Sequence, residues 1–266
     1  MQQTYGIPKR CSMGWSMFRM LVPALLVLLA GTAIAKDLKV LTGAGMSMPV
    51  RERAAAFGQR TGDTVTVTSD TAGGVQKRIE AGERFDLVIG TAAVLQALAR
   101  QQLVAVQAHP LAQMVAGIGV KKGSDMPDIT DAHATRAALL AAKSIAYVDP
   151  ASGGITGVFF LGQAERLGIG DQVRAKAVLQ PNGSGVAEAV ASGEAQVGVT
   201  LVSEMLPNKD VMVRPLPDEL QMTTIYTASV ATNAENALDA AALLDDLRGQ
   251  DGREAAMRAG LKPVAQ

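Results

Sequence analysis

The chain has 266 residues, balances 25 basic against 25 acidic side chains, and carries one cysteine. A lone thiol leaves no disulfide framework and no thiolate metal cluster, and the lack of any lysine- or arginine-rich block argues against nucleic acid. Aromatic residues make up only 3%, which weighs against sugars, nucleosides and other ligands gripped by stacking.

Lys9, Arg10 and Arg19 precede an apolar run from Met20 to Ala30, and Ala33-Ile34-Ala35 offers small residues to a signal peptidase. This pattern predicts an export signal over residues 1–35, too short for a stable membrane span and cut after Ala35. The expected product is a soluble periplasmic chain with no membrane insertion after cleavage. Cys11 lies inside the signal and far from the cut, so it is not a lipoprotein anchor. Cleavage also takes three basic residues and no acidic ones, which leaves the remainder mildly acidic.

Strand and helix patterns then alternate. Leu38–Leu41 reads as a strand, followed by a glycine-rich tip through Ser47 and a helix that begins at Pro49 and stops at Gly62. Thr64–Thr68 alternates as a strand does and carries β-branched residues. Next come the tip Thr71-Ala72-Gly73-Gly74, a helix through Val75 and Ile79, a strand over Asp86–Gly90, and a helix that begins at Thr91. The pattern restarts at Gln113, with strands at Met114–Val120 and Ser144–Val148 around a helix over Asp131–Ala142. The stretch Asp149–Gly157 then joins a strand end, a glycine turn and a helix start that runs toward Gly168. Ala177–Leu179, the tip Asn182–Gly185, a helix through Val186 and Val190, and strands at Val197–Leu201, Val211–Arg214 and Thr223–Val230 follow. Helices close the chain, with a break at Gly249. Such alternation predicts an α/β fold with mostly parallel sheets flanked by helices.

Gly74-Val75-x-x-x-Ile79-x-x-Gly82-Glu83 is echoed by Gly185-Val186-x-x-x-Val190-x-x-Gly193-Glu194. In each copy the β-branched pair falls on one helical face, and each copy sits between a strand and another strand. The echo predicts two lobes of like design. A tip at which a strand ends and a helix starts exposes unpartnered backbone N–H groups in a favourable dipole, and several tips facing one cleft suit an anion.

Other chemistries find little support. His109 and His133 share no carboxylate at ligand spacing, so no metal site is expected. Ser47, Ser152 and Ser184 have no evident His or Asp partner for a hydrolytic triad, and no cofactor is expected. Lys77 and Arg78, just past the second tip, could reach a ligand carboxylate, although a solvated helix face is the favoured reading, since surface Lys and Arg are common.

The stretches Leu38–Ser47, Thr71–Gly82 with Phe85–Ile89, Asp149-Pro150, Asn182 with Val190–Ala195 and Gly198, and Tyr226 together resemble the type II periplasmic solute-binding proteins. The likeness is to the molybdate-binding family of ABC importers, which also includes aconitate isomerase. The resemblance implies two α/β lobes with a cleft between them: residues 36–112 plus 221–266, and 113–220, hinged at the two crossings. It implies a monomer that binds a small anionic ligand and docks on importer membrane subunits. The implied ligand contacts are Thr42, Gly45, Ser47, Thr71, Ala72, Gly73, Gly74, Thr91, Ser152, Gly153, Gly154, Asn182, Gly183 and Ser184. Against the family pattern, Gly45 stands where a serine is usual, Thr71 and Ala72 replace a serine pair, and Leu201 replaces a tyrosine. Fewer hydroxyls and more glycine suit an organic di- or tricarboxylate better than molybdate.

The expected role is therefore capture of a small anion for import. The alternative is an isomerase that moves a double bond in a tricarboxylate on the same scaffold. That chemistry needs a base beside an allylic C–H, for which Asp70, Asp149, Lys77 and Tyr226 are all conceivable.

Overall fold

A computed structural model of the chain describes residues 1–4, 6 and 35–264. The expected export signal, with Lys9, Arg10, Cys11, Arg19 and Ala33-Ile34, lies outside the described residues. Strand β1 (Asp37–Gly43) passes through a tight turn at Ala44–Met46 into helix α1 (Ser47–Thr61). The helix starts two residues ahead of Pro49. Proline is tolerated there because the first-turn N–H groups have no partner within the helix. Gly62, in the left-handed conformation at φ 83°, ends it. Strand β2 (Thr64–Asp70), α2 (Ala72–Glu80), β3 (Leu87–Thr91), α3 (Ala92–Arg100) and β4 (His109–Gln113) complete the first run.

The second run comprises β5 (Ala116–Lys121), α4 (Ala132–Ala141), β6 (Ile145–Val148), α5 (Ile155–Arg166), α6 (Gly170–Arg174), β7 (Ala177–Gln180), α7 (Gly183–Ser192), β8 (Val197–Leu201), α8 (Val202–Met205) and β9 (Val211–Pro215). The chain then returns through β10 (Ile225–Val230), α9 (Ala237–Arg248), α10 (Gln250–Arg258) and β11 (Lys262–Pro263). The sequence pattern did not disclose β4, α6, α8 or β11. Each is too short to show a hydrophobic period.

Two sheets form, in the orders β11-β4-β10-β3-β1-β2 and β7-β6-β8-β5-β9. They are mixed rather than mostly parallel. The strands β2, β1 and β3 run parallel, as do β7, β6 and β8, but β10, β4 and β11 in one sheet and β5 and β9 in the other join antiparallel. The alternation of strands and helices describes only the β-α units. The antiparallel strands come from the crossings and the returning chain, which no local pattern announces. Helices cover both sheets around buried Leu38, Val40, Ile89, Ile118, Ile145 and Val199.

The two sheets repeat one plan: β2-β1-β3-β10-β4 corresponds to β7-β6-β8-β5-β9. The sequence echo lies on matched helices. Val75 and Ile79 of α2 and Val186 and Val190 of α7 are all buried. The cap residues match as well: Thr71 Oγ1 accepts from the Gly74 N–H at 3.0 Å, and Asn182 Oδ1 accepts from the Gly185 N–H at 2.9 Å. Both sheets belong to one compact unit that begins at Ala35.

The chain passes between sheets after Gln113 and again after Pro215, and Gln221 stitches the two passages together. Its Oε1 accepts from the Ala116 N–H at 3.0 Å, and its Nε2 donates to the carbonyls of Ala116 at 2.9 Å and Leu216 at 2.7 Å. Nearby, Gln113 Nε2 donates to the Met222 carbonyl at 2.8 Å. Gln221→Ala strands these part-buried backbone groups and should cost about 2 kcal/mol in urea unfolding. A loss below about 0.5 kcal/mol would show that the passages do not depend on it.

Candidate functional site

The carboxyl ends of β1, β6 and β8, with the segments that follow β2 and β7, converge on one pocket. It is lined by Gly43, Ala44, Thr71, Ala72, Met114, Val148, Gly154, Ile155, Thr156, Asn182, Gly183, Leu201, Glu204 and Tyr226. This is where α/β sheets place ligands. Three helices, α2, α5 and α7, direct their N-termini at it. Those of α2 and α7 are capped by Thr71 and Asn182, but no side chain caps α5, whose first residues Ile155 and Thr156 form part of the wall. First-turn amides have no acceptor within their own helix, so the start of α5 is an open row of donors.

The pocket is closed down to a cavity of about 30 Å³, room for one or two waters. Its two sides touch directly: the Gly73 N–H donates to the Gly153 carbonyl at 3.2 Å, and Thr71 Oγ1 donates to the Ser152 carbonyl at 3.4 Å. A Cβ on Gly73 would lie 3.0 Å from that carbonyl oxygen, and Gly153 holds φ at 81°, so both positions suit glycine.

Among the described residues, two ionisable side chains line the pocket, Glu204 and Tyr226, and no basic one does. Glu204 is the third residue of α8 and reaches back to the amide of Leu201, the helix cap. This is one half of a capping box, used where Leu201 has no side-chain acceptor. Thr200 Oγ1 donates to Glu204 Oε2 at 2.6 Å. The carboxyl rests on Gly183 at the start of α7, where any Cβ would collide with it. Burial pushes the Glu204 carboxyl above the usual carboxylate range, against the pull of its hydrogen bonds with Thr200 and Leu201. Burial, reinforced by the neighbouring Glu204, likewise holds the Tyr226 phenol well above its ordinary value, although the Gly45 amide bonds to it. Ser203 Oγ is buried with no hydrogen-bond partner, on the side of Gly45 that also faces Tyr226.

A larger indentation of about 250 Å³ lies at the opposite, amino ends of β1 and β3. Several of its polar groups are paired. Arg84 pairs with Glu235, and the Asp86 carboxylate accepts from the amides of Lys39 and Asn236, both at 2.9 Å. It presents no converging helix starts, and the smaller pocket is the candidate site.

A family model for bacterial extracellular solute-binding proteins matches residues 38–262. The chain belongs to this family. Among curated relatives of this solute-binding protein, the aconitate isomerase of a Pseudomonas species is 31% identical over 236 residues, 85% of this chain and 88% of that one. Solved structures of like fold include the periplasmic molybdate-binding protein of Azotobacter vinelandii. It has a TM-score of 0.72 at 18% identity, over 86% of this chain and 100% of that one. Peb3 from Campylobacter jejuni has a TM-score of 0.66 at 17% identity, also over 86% of this chain and 100% of that one. At these identities the likeness concerns the fold, that of the type II periplasmic binding proteins.

Of the residues singled out from the sequence, Thr71, Ala72, Gly154, Asn182 and Gly183 line the pocket. Gly73 and Gly153 meet beside it, Gly74 is held by the Thr71 cap, and Gly45 backs Tyr226. The others are engaged within their own turns. Thr42 Oγ1 donates to the Gly43 carbonyl, Ser152 Oγ to the Asp149 carbonyl and Ser184 Oγ to Asn182, while Thr91 caps α3 and Ser47 opens α1. Among the conceivable bases, Asp70 accepts from the Thr71 amide and Arg78, Asp149 accepts from the Ala151 amide, and Lys77 is exposed. Tyr226 alone of the four lines the pocket. Glu204 was missed because it sits in a four-residue helix without periodicity. The available signal was an acid just beyond the carboxyl end of a buried strand.

The raised Glu204 pKa fixes the sign of a pH effect. A carboxyl raised in the fold contributes stability below its unfolded value, and that contribution is lost as pH rises through the folded value. Glutamine at 204 does not titrate. The Tm of Glu204→Gln relative to wild type should therefore climb as pH rises above the ordinary carboxylate range. An unchanging difference in thermal denaturation would contradict the raised value.

Proposed function

We propose that this protein captures a small organic polycarboxylate between two lobes, residues 36–112 with 221–266 and residues 113–220. The lobes open and close about the crossings that Gln221 holds, and the loaded form delivers its ligand to the membrane subunits of an ABC importer in the periplasm. The observation that carries this reading is the convergence of three helix N-termini, one of them uncapped, on a pocket with no basic side chain and no exposed aromatic face. Backbone amides and hydroxyls then do the gripping. The scarcity of hydroxyls in the lining, Thr71, Thr156 and Tyr226 alone, favours carboxylates over a compact oxyanion. The cavity as it stands must open to admit such a ligand.

A second reading, isomerisation of a tricarboxylate on the same scaffold, is supported by two things: the relative named for that activity and the placing of Glu204 and Tyr226 in the lining. A double-bond shift needs a group that takes a proton from one carbon and returns it to another. A carboxyl raised by burial is suited to that, whereas the Tyr226 phenol stays protonated and can only donate.

A thermal-shift panel of trans-aconitate, citrate, succinate, sulfate and molybdate tests the first reading. A ligand at a hundredfold excess over Kd should add about 2.7 kcal/mol, a rise of several degrees in Tm. No shift with any carboxylate, or a shift with molybdate alone, would overturn it. Incubation of trans-aconitate with the protein, followed by proton NMR, separates the two readings: cis-aconitate forms under the second and not under the first.

A further inference from the structure

A pocket built for an anion should not contain an ionised carboxylate, yet Glu204 lies in the wall of this one, against the start of α7 where an anionic ligand would gain most from the dipole. No lysine, arginine or histidine among the lining residues offsets it. Outside the lining, Arg78 is bound to Asp70 and Glu83, and Lys77 is exposed. The elements packed most closely on α8 are the Ala44–Met46 turn, β5, α7, β8 and β9, and the turn at Gly260 touches Val202 between the exposed Arg258 and Lys262. The ionisable side chains of those strands and helices, Lys121, Glu188 and Arg214, are all exposed, and neither they nor Arg258 and Lys262 line the pocket. Among the described residues, the one titratable group that faces Glu204 is Tyr226 on β10, a phenol that stays neutral.

We propose that the anion and a proton enter this pocket together, the proton residing on Glu204, whose neutral carboxyl then donates a hydrogen bond to a carboxylate of the ligand. Protonation turns the one repulsive group of the wall into a donor beside the Tyr226 hydroxyl and the amides of α5 and α7. Glu204 thereby selects a ligand that accepts from a carboxylic acid, and capture is coupled to proton uptake. The direction agrees with burial, which already favours the protonated form in the closed pocket. The capping role of Glu204 does not compete. A neutral carboxyl still accepts from Thr200 and Leu201 through its carbonyl oxygen while its O–H donates.

The inference rests on the anion-capture reading, and calorimetry distinguishes the failure of each. Trans-aconitate is titrated into the full mature protein between about pH 7 and pH 9.5, in two buffers of different ionisation enthalpy. Uptake approaching one proton per ligand should appear once pH exceeds the carboxyl's value in the free protein. Above that point Kd should rise about tenfold per pH unit. In Glu204→Gln the uptake should vanish and Kd should become flat with pH, whereas Tyr226→Phe should keep the uptake. Binding with no proton uptake over the whole range, or uptake that survives in Glu204→Gln, overturns the role of Glu204 and leaves anion capture standing. The absence of binding by trans-aconitate, citrate and succinate alike overturns both.

Discussion

The closed cleft depends on two backbones that meet without side chains between them. The Gly73 amide donates to the Gly153 carbonyl across the divide, and a methyl group on Gly73 would crowd the facing chain at 3.0–3.1 Å. This contact brings the starts of α2 and α5 to opposite sides of one small cavity, with α7 and the end of β8 behind it. The strand order of each sheet matters because it delivers helix starts to this place. The repeated plan, in which β2, β1 and β3 answer β7, β6 and β8, makes the two walls alike in construction.

The walls differ at one pair of matched corners. Where β3 turns into α3, Thr91 caps the helix with its own hydroxyl. Where β8 turns into α8, Leu201 has no acceptor, and Glu204 reaches back from the third position instead. That substitution of one cap for another brings a carboxyl into the cleft. An ionised Glu204 about 4 Å from a bound carboxylate would be repelled by roughly 4 kcal/mol at an effective dielectric near 20, enough to cancel several good hydrogen bonds. A site that relies on amides rather than on arginine forks is therefore sensitive to the protonation of a single acid.

Much of the architecture was legible in the chain itself. Gly62, Gly168 and Gly193 end helices in the left-handed conformation, and the echo around Val75 and Val186 marks equivalent helices whose caps bond alike. Thr71, Asn182 and the glycines about them were readable as tips because short polar residues and glycine at a strand–helix junction have few other uses. Thr42, Thr91 and Ser184 carry the same residue types, yet their hydroxyls serve their own turns. A hydroxyl's local competitor for bonding cannot be weighed without coordinates.

The sequence by itself determined the longer β-α units, the glycines that end several of their helices and the glycine-rich turns that leave amides exposed, because these follow from backbone sterics and side-chain periodicity over a few residues. Only the tertiary structure decided that the sheets are mixed, that five of those tip residues line one pocket, and that Glu204 and Tyr226 line it with them. The reason is physical. Strand direction and the meeting of residues more than a hundred positions apart are set by the return of the chain through two crossings, and a buried carboxyl acquires its character from neighbours that no local pattern specifies.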